Sequence, residues 1–157
     1  NNATVSIMAY NYGARNPKRI TGTLKLACMS ALGIMCLGVL VFQLLPDVLL
    51  GIFDTSDAFL TMGCSALRTI SLCFPFAAVC IALGASFQAL GNGIYSTIVS
   101  LCRQLVALLP AAYLLSLSGE VTHVWWAWPI AESAGLTLTV FFFLRNYKRL
   151  IKPLYET

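Results

Sequence analysis

Charge is what this sequence has least of. Only 10% of its 157 residues are Asp, Glu, Lys or Arg, against roughly 25% in ordinary soluble domains. At the same time 59% are hydrophobic and the mean hydropathy is +0.81. A soluble domain of this length needs polar side chains to cover its surface, and too few are present. A bilayer removes that need, because lipid tails cover apolar side chains without penalty. The chain reads as an integral membrane protein.

Other scarcities exclude chemistry. His123 is the one histidine, and a solitary loop histidine reads as a surface residue. The cysteines, Cys28, Cys36, Cys64, Cys73, Cys80 and Cys102, are scattered through apolar segments with no C-x-x-C pair. They read as small buried hydrophobes, and neither a disulfide framework nor a metal site is suggested. No nucleophile and base stand at a persuasive spacing. "GASFQALG" lacks the G-x-S-x-G spacing of a nucleophile elbow and the strand before it. An intramembrane enzyme using Glu132 or His123 as acid or base would need a partner residue that the sequence does not offer, so no enzyme is expected. "NNATVSIMAY" has neither an initiator Met nor the basic start and long apolar core of a signal peptide. It reads as the tail of an earlier helix, and the chain as a piece of a longer protein.

What is present is a series of long apolar runs. Residues 22–45 carry only Lys25 as a charge and, at about 1.5 Å per residue, are long enough to cross a hydrocarbon core of about 30 Å. Residues 58–90 exceed one straight crossing, so Thr69 to Leu90 is expected to cross while the part before Arg68 projects or tilts. Residues 95–117 and 124–144 supply two more spans. The expected fold class is all-α, a polytopic bundle of four membrane helices, with residues 1–21 as the end of a preceding helix plus a connector and 145–157 as a tail.

The basic residues set the orientation. Arg15, Lys18 and Arg19 precede the first span, and Arg145, Lys148, Arg149 and Lys152 follow the last. The loop at 46–57 carries Asp47, Asp54 and Asp57, and neither it nor the loop at 118–123 contains Lys or Arg. Positive residues are retained on the cytoplasmic side, so both ends of the chain are expected inside and these two loops outside. The net charge of +4 therefore reports topology, and no nucleic-acid partner is expected, because no basic face with stacking or base-reading side chains is in sight. Trp125, Trp126 and Trp128 fall at the outer boundary, where an aromatic belt belongs.

Four stretches, "YNYGARNPKR" (10–19), "FQALGNG" (87–93), "RQLVALLPAAYLL" (103–115) and "WAWPIAE" (126–132), give the chain a resemblance. In order, spacing and sidedness it resembles the second lobe of a bacterial multidrug and toxic compound extrusion (MATE) transporter, from the end of helix 8 to helix 12. The resemblance implies a twelve-helix, two-lobe fold and antiport, in which an organic cation or other drug leaves as Na+ or H+ enters. It implies a bacterial cytoplasmic membrane, no cofactor beyond the coupling ion, and as partners the lipid bilayer, the remaining helices and drug-like molecules. Some members place a cation-binding carboxylate on helix 10, but no Asp or Glu occurs between Arg68 and Leu90. Carboxylates on helices 1 and 7 would lie outside this chain. Rival readings are a flippase for a lipid-linked sugar on the same architecture and a non-transporting four-helix subunit.

Within the spans, polar and helix-breaking residues are the candidates for shaping a cavity or its gate. Gly13 can take a positive φ where a helix ends, and Asn16-Pro17 favours a turn, so 10–19 reads as an inside connector, static or moving. Ala78/Ala82, Cys80/Gly84, Ala82/Ser86 and Ala85/Ala89 are each four apart and invite close approach of a neighbouring helix. Pro75 is expected to bend the second span at the carbonyl of Ser71, and Pro110 the third at that of Val106. An ionisable side chain near mid-bilayer costs about 2.5–3.5 kcal/mol, which singles out Glu132, Arg103 and Arg68, with Gln88 and Gln104 as polar company. Glu132 lies about 12 Å inside the fourth span and Arg103 about 12 Å inside the third from the opposite face, so their backbones differ in depth by about 6 Å. A charge pair of Glu132 with Arg103 or Arg68 is expected, although helical side chains lean toward their own N-terminus and so point Arg103 and Glu132 apart. Pro75, Gln88, Arg103, Glu132 and Arg68 are the transport or gating candidates.

Overall fold

The computed structural model describes residues 1–53 and 56–155. Asp54, counted above in an outer loop, and Glu156 and Thr157 of the expected tail lie outside the described residues. All regular structure among the described residues is helical.

Helix α1 (Asn2–Gly13) runs into α2 (Pro17–Leu44) through three residues. The turn closes when the Asn16 amide reaches back to the Asn11 carbonyl at 2.9 Å. This six-to-one bond requires a left-handed residue just before it. That residue is Arg15, at φ 51°, and not Gly13, which corrects the expectation from sequence. The Asn16 side chain then accepts from the Arg19 amide at 3.2 Å, and Pro17 fills the first helical turn, where its missing N–H is harmless. The same device ends α5 (Phe74–Ala89): Asn92 donates to the Phe87 carbonyl at 2.8 Å with Gly91 at φ 77°, and α6 (Gly93–Leu101) follows.

The expected 58–90 span is broken. After the short α3 (Pro46–Leu50), α4 (Asp57–Ser71) and α5 meet at an angle of 45°. At the junction the amides of Leu72 and Cys73 bond three residues back, to Thr69 and Ile70. The tightened turn leaves the Arg68 carbonyl, rather than that of Ser71, to side chains: Gln43 Nε2 donates to it at 2.8 Å and Ser71 Oγ at 3.0 Å. Pro75 sits in the first turn of α5, so it starts the new helix and does not kink an existing one. The third expected span is helical from Gly93 to Ser116, but Cys102–Leu108 is wound as π-helix between α6 and α7 (Leu109–Ser116). Its wider turn ends beside Pro110 and relieves the clash that the pyrrolidine ring would make with the Val106 carbonyl. A four-residue α8 (Val121–Val124) precedes α9 (Ala127–Asn146), and helix continues as a π turn (Tyr147–Ile151) and a 3₁₀ turn (Lys152–Tyr155). The stretch read as a tail is thus helical through Tyr155.

Three helical units, Pro17–Leu44, Gly93–Ser116 and Val121–Tyr155, are long and apolar enough to cross a membrane, and the bent α4–α5 pair makes a fourth if it is one broken span. The fold is an all-α membrane-helix bundle. Helix α5 is its centre, packed by α1, α2, α6 and α9. On α5 the small residues Ala78, Ala82, Ala85 and Ala89 are buried, and α9 answers with Ala127, Ala131, Gly135 and Thr139, each four apart. Without bulky side chains between them the two backbones approach closely.

The ends of the bundle differ. At one end Met8, Ile20, Leu24, Leu83, Leu90 and Ile151 form a buried apolar cluster, Thr21 Oγ1 meets the Tyr155 hydroxyl at 3.0 Å, and Asn92 Nδ2 donates to Asn146 Oδ1 at 3.4 Å. Arg15, Lys18, Arg19, Lys148, Arg149 and Lys152 belong to the segments gathered there, and all are exposed. At the other end α4 meets α3 and α8 beside Asp57 and Glu120.

Candidate functional site

Arg103, in the π-helical segment, and Glu132, on α9, form an ion pair: Nη1 stands 3.1 Å from Oε1 and donates to Oε2 at 3.2 Å. The side chains are 29% and 14% exposed, so both charges are largely taken from solvent and held by one another. The outward lean expected from ordinary helical geometry is overcome in two ways. The wide turn of the Cys102–Leu108 segment departs from α-helical spacing at Arg103 itself. Gly135 removes an obstacle: a Cβ built there would lie 3.1 Å from Arg103 Cδ and 3.3 Å from Cγ. The aliphatic stem of Arg103 therefore lies across the bare backbone of Gly135, one turn from Glu132, and the guanidinium completes the distance. Below it, Thr139 Oγ1, 1% exposed, donates to the Gly135 carbonyl at 2.7 Å.

A cavity of ≈ 150 Å³ adjoins the pair on the α5 side. Asn1, Gln88, Ser96, Ser100, Arg103 and Thr139 supply its polar lining, with Phe87 among the apolar residues. Two of the expected candidates, Gln88 and Arg103, thus share one space, and Glu132 reaches it through Arg103. Arg68 and Pro75 do not join them. Arg68 is exposed on α4 and contributes its carbonyl at the helix break, so the partner of Glu132 is Arg103. Gln104, next to Arg103, is exposed. His123 meets Ser118 Oγ at 2.9 Å and Glu120 at 3.6 Å at the opposite end of the bundle. Among the described residues, no three His, Cys, Asp or Glu side chains are placed to hold a metal ion together.

Gly135 and Gln43 are the residues that sequence reasoning passed over. The signal for Gly135 was available, since Ala127, Ala131 and Gly135 repeat the four-residue spacing already noted in α5. For Gln43 there was none: its role depends on where the backbone breaks.

Comparison with known proteins agrees with this architecture. No curated protein matches the chain. Among solved structures, an inward-facing multidrug resistance MATE family transporter of the MOP superfamily superposes with a TM-score of 0.73 at 24% identity, over 99% of this chain and 36% of that one. A second solved chain, designated protein A, gives a TM-score of 0.73 at 29% identity over 90% of this chain and 31% of its own length. The chain therefore spans about a third of the length of these solved structures. The MatE family profile matches residues 1–114, most of the sequence, and with the shared helical fold this makes the chain a member of the MatE family, whose proteins are membrane transporters and not enzymes.

Proposed function

We propose that this chain is part of the second lobe of a secondary active efflux antiporter, which exports organic cations or other drug-like molecules in exchange for Na+ or H+. Membership of the MatE family carries this reading, and the similarity to a multidrug resistance transporter supports the substrate class. The working partners are then the bilayer, the other helices of the same transporter and the exported molecule. The exposed basic residues gathered at one end of the bundle support an orientation with both ends of the chain in the cytosol of a bacterial cell.

Within that reading the Arg103–Glu132 pair handles cations. A carboxylate whose counter-charge among the described residues is a movable guanidinium can take a proton or Na+ when the arginine swings into the adjoining cavity, and releases it when the arginine returns. Gln88, Ser96 and Ser100 offer the displaced guanidinium polar contacts. Pro75 and Arg68 act on the α4–α5 break and so on the shape of the lobe. The test is Glu132→Gln in the full natural chain that carries these residues, reconstituted in vesicles with imposed Na+ or H+ gradients. Export should fall at least about tenfold with its pH or Na+ dependence altered; unchanged export at every pH and gradient removes the pair from the mechanism.

A further inference from the structure

The α4–α5 break is bonded in a way that admits a second arrangement. As it stands, the amides of Leu72 and Cys73 bond three residues back, and the Arg68 carbonyl, which an unbroken helix would give to the Leu72 amide, is held from the side. Gln43 Nε2, on α2, donates to that carbonyl at 2.8 Å and to Ser71 Oγ at 3.1 Å, and the Ser71 hydroxyl, fully buried, adds its own bond at 3.0 Å. Moving each of the two amides back by one carbonyl, Leu72 to Arg68 and Cys73 to Thr69, would restore α-helical bonding across the break. Pro75 limits that change. It has no amide for the Ser71 carbonyl and its ring crowds it, so the straighter form keeps a proline kink of roughly 20° in place of the 45° bend. Ser71 reaches the Arg68 carbonyl in either form, being three residues along the same helix. Gln43 reaches it from another helix, and the bent form needs that donor, because the bilayer offers no water to replace it.

The two sides of the break are attached to different neighbours. On the α5 side, Phe74 lies edge-on to Phe42 with ring centroids 5.4 Å apart, and a Cβ on Gly38 would stand 3.5 Å from the Phe74 ring, so the start of α5 is seated on α2. On the α4 side, a Cβ on Gly63 would fall 2.7 Å from Leu50 Cδ1, and Cys64 Sγ donates to Asp47 Oδ1 at 2.9 Å, so α4 is joined to α3. We propose that the break is a two-position hinge and that Gln43 is its latch. Helix α4 swings with α3 while α5 stays seated on α2, and the Gln43 amide selects the bent position. Ala58 lies about 15 Å from Arg68 along α4, so a change of roughly 25° carries it about 6 Å. The swing works the contact that α4 makes with α8 beside Asp57 and Glu120. Gln43 is a positioning residue in this device, which does not depend on which ion or drug is transported.

The full natural chain is placed in lipid nanodiscs with pairs of spin labels on non-natural residues, and distances are read by pulsed electron resonance. Gln43→Met keeps the length of the side chain and loses its donor. In that variant the Ala58–Leu37 or the Ala58–Leu114 distance should move by at least about 4 Å into a second discrete population, while Phe76–Leu114 moves by less than about 2 Å. Gln43→Leu supplies the same test should the methionine variant fold poorly. Pro75→Ala, which lets the straight form complete its bonds, should populate the same second distance by a separate route. Wild-type distances in the Gln43 variants overturn the latch, even where Pro75→Ala shows that the break can move. An equal shift at Phe76 overturns the hinge, because α5 has then left α2 together with α4. A broadened distribution without a second maximum overturns the two positions.

Discussion

Helices α2 and α5 are both strongly apolar and pack against each other, yet they meet opposite surroundings. Over 28 residues α2 buries only Ile20 and Leu24, and Leu26, Met29, Ile34, Leu37 and Leu40 are exposed. Over 16 residues α5 buries Ala78, Cys80, Ala82, Leu83, Ala85, Ser86, Phe87 and Ala89. Six of the eight buried residues of α5 are small, with Leu83 and Phe87 the exceptions, whereas the two that α2 buries are large. In water the larger apolar residue gains more by entering the core. In lipid a leucine gains nothing by leaving the acyl chains, so along the α5–α9 seam, where the backbones approach closely, small residues are favoured.

The hardest blow to this contrast should be Ala85→Leu, which forces three more carbons into the α5 seam. A loss of about 2–3 kcal/mol is expected from overpacking, measured as unfolding in mixed micelles. Next comes the seam between α9 and the π-helical Cys102–Leu108 segment, where Arg103→Ala leaves the Glu132 carboxylate without its counter-charge. The pair is partly exposed, so the loss should be about 1–2 kcal/mol, and adding Glu132→Gln should recover part of it in the same assay. The mildest change should be Leu37→Ala, 63% exposed on α2, at less than about 0.5 kcal/mol. If Leu37→Ala and Ala85→Leu prove equally damaging, volume is not the sorting rule.

Hydropathy made the long helices legible, but not the way their backbones are interrupted. The depth arithmetic for Arg103 and Glu132 brought their backbones to within about 6 Å in depth, even though side-chain lean argued against a pair. That lean assumes ideal α-helix on both sides, and the Cys102–Leu108 winding with a bare Gly135 suspends the assumption. The break near Pro75 was legible, yet the carbonyl that it frees is Arg68's, because the chain tightens into three-residue turns before the proline is reached. Left-handed geometry fell on Arg15 instead of Gly13 for a similar reason: the closing bond from Asn16 to Asn11 fixes which position must carry it, whatever residue stands there. The short helices Pro46–Leu50 and Val121–Val124 span too few residues to display a period. Local bonding decided these details, and hydropathy carries no record of it.

The winding at Cys102–Leu108 has a consequence for how this helical bundle tolerates insertion and deletion. A stretch bonded five residues back holds one residue more than a regular α-helix would use to close the same turn. Deleting a single residue there would let the backbone knit into an unbroken rod while both flanks keep their places, and the guanidinium would be turned by about 100° away from its carboxylate. Charge neutralisation within the bundle thus hangs on a count of residues, and a natural variant one shorter in this stretch should carry an uncharged residue at position 132.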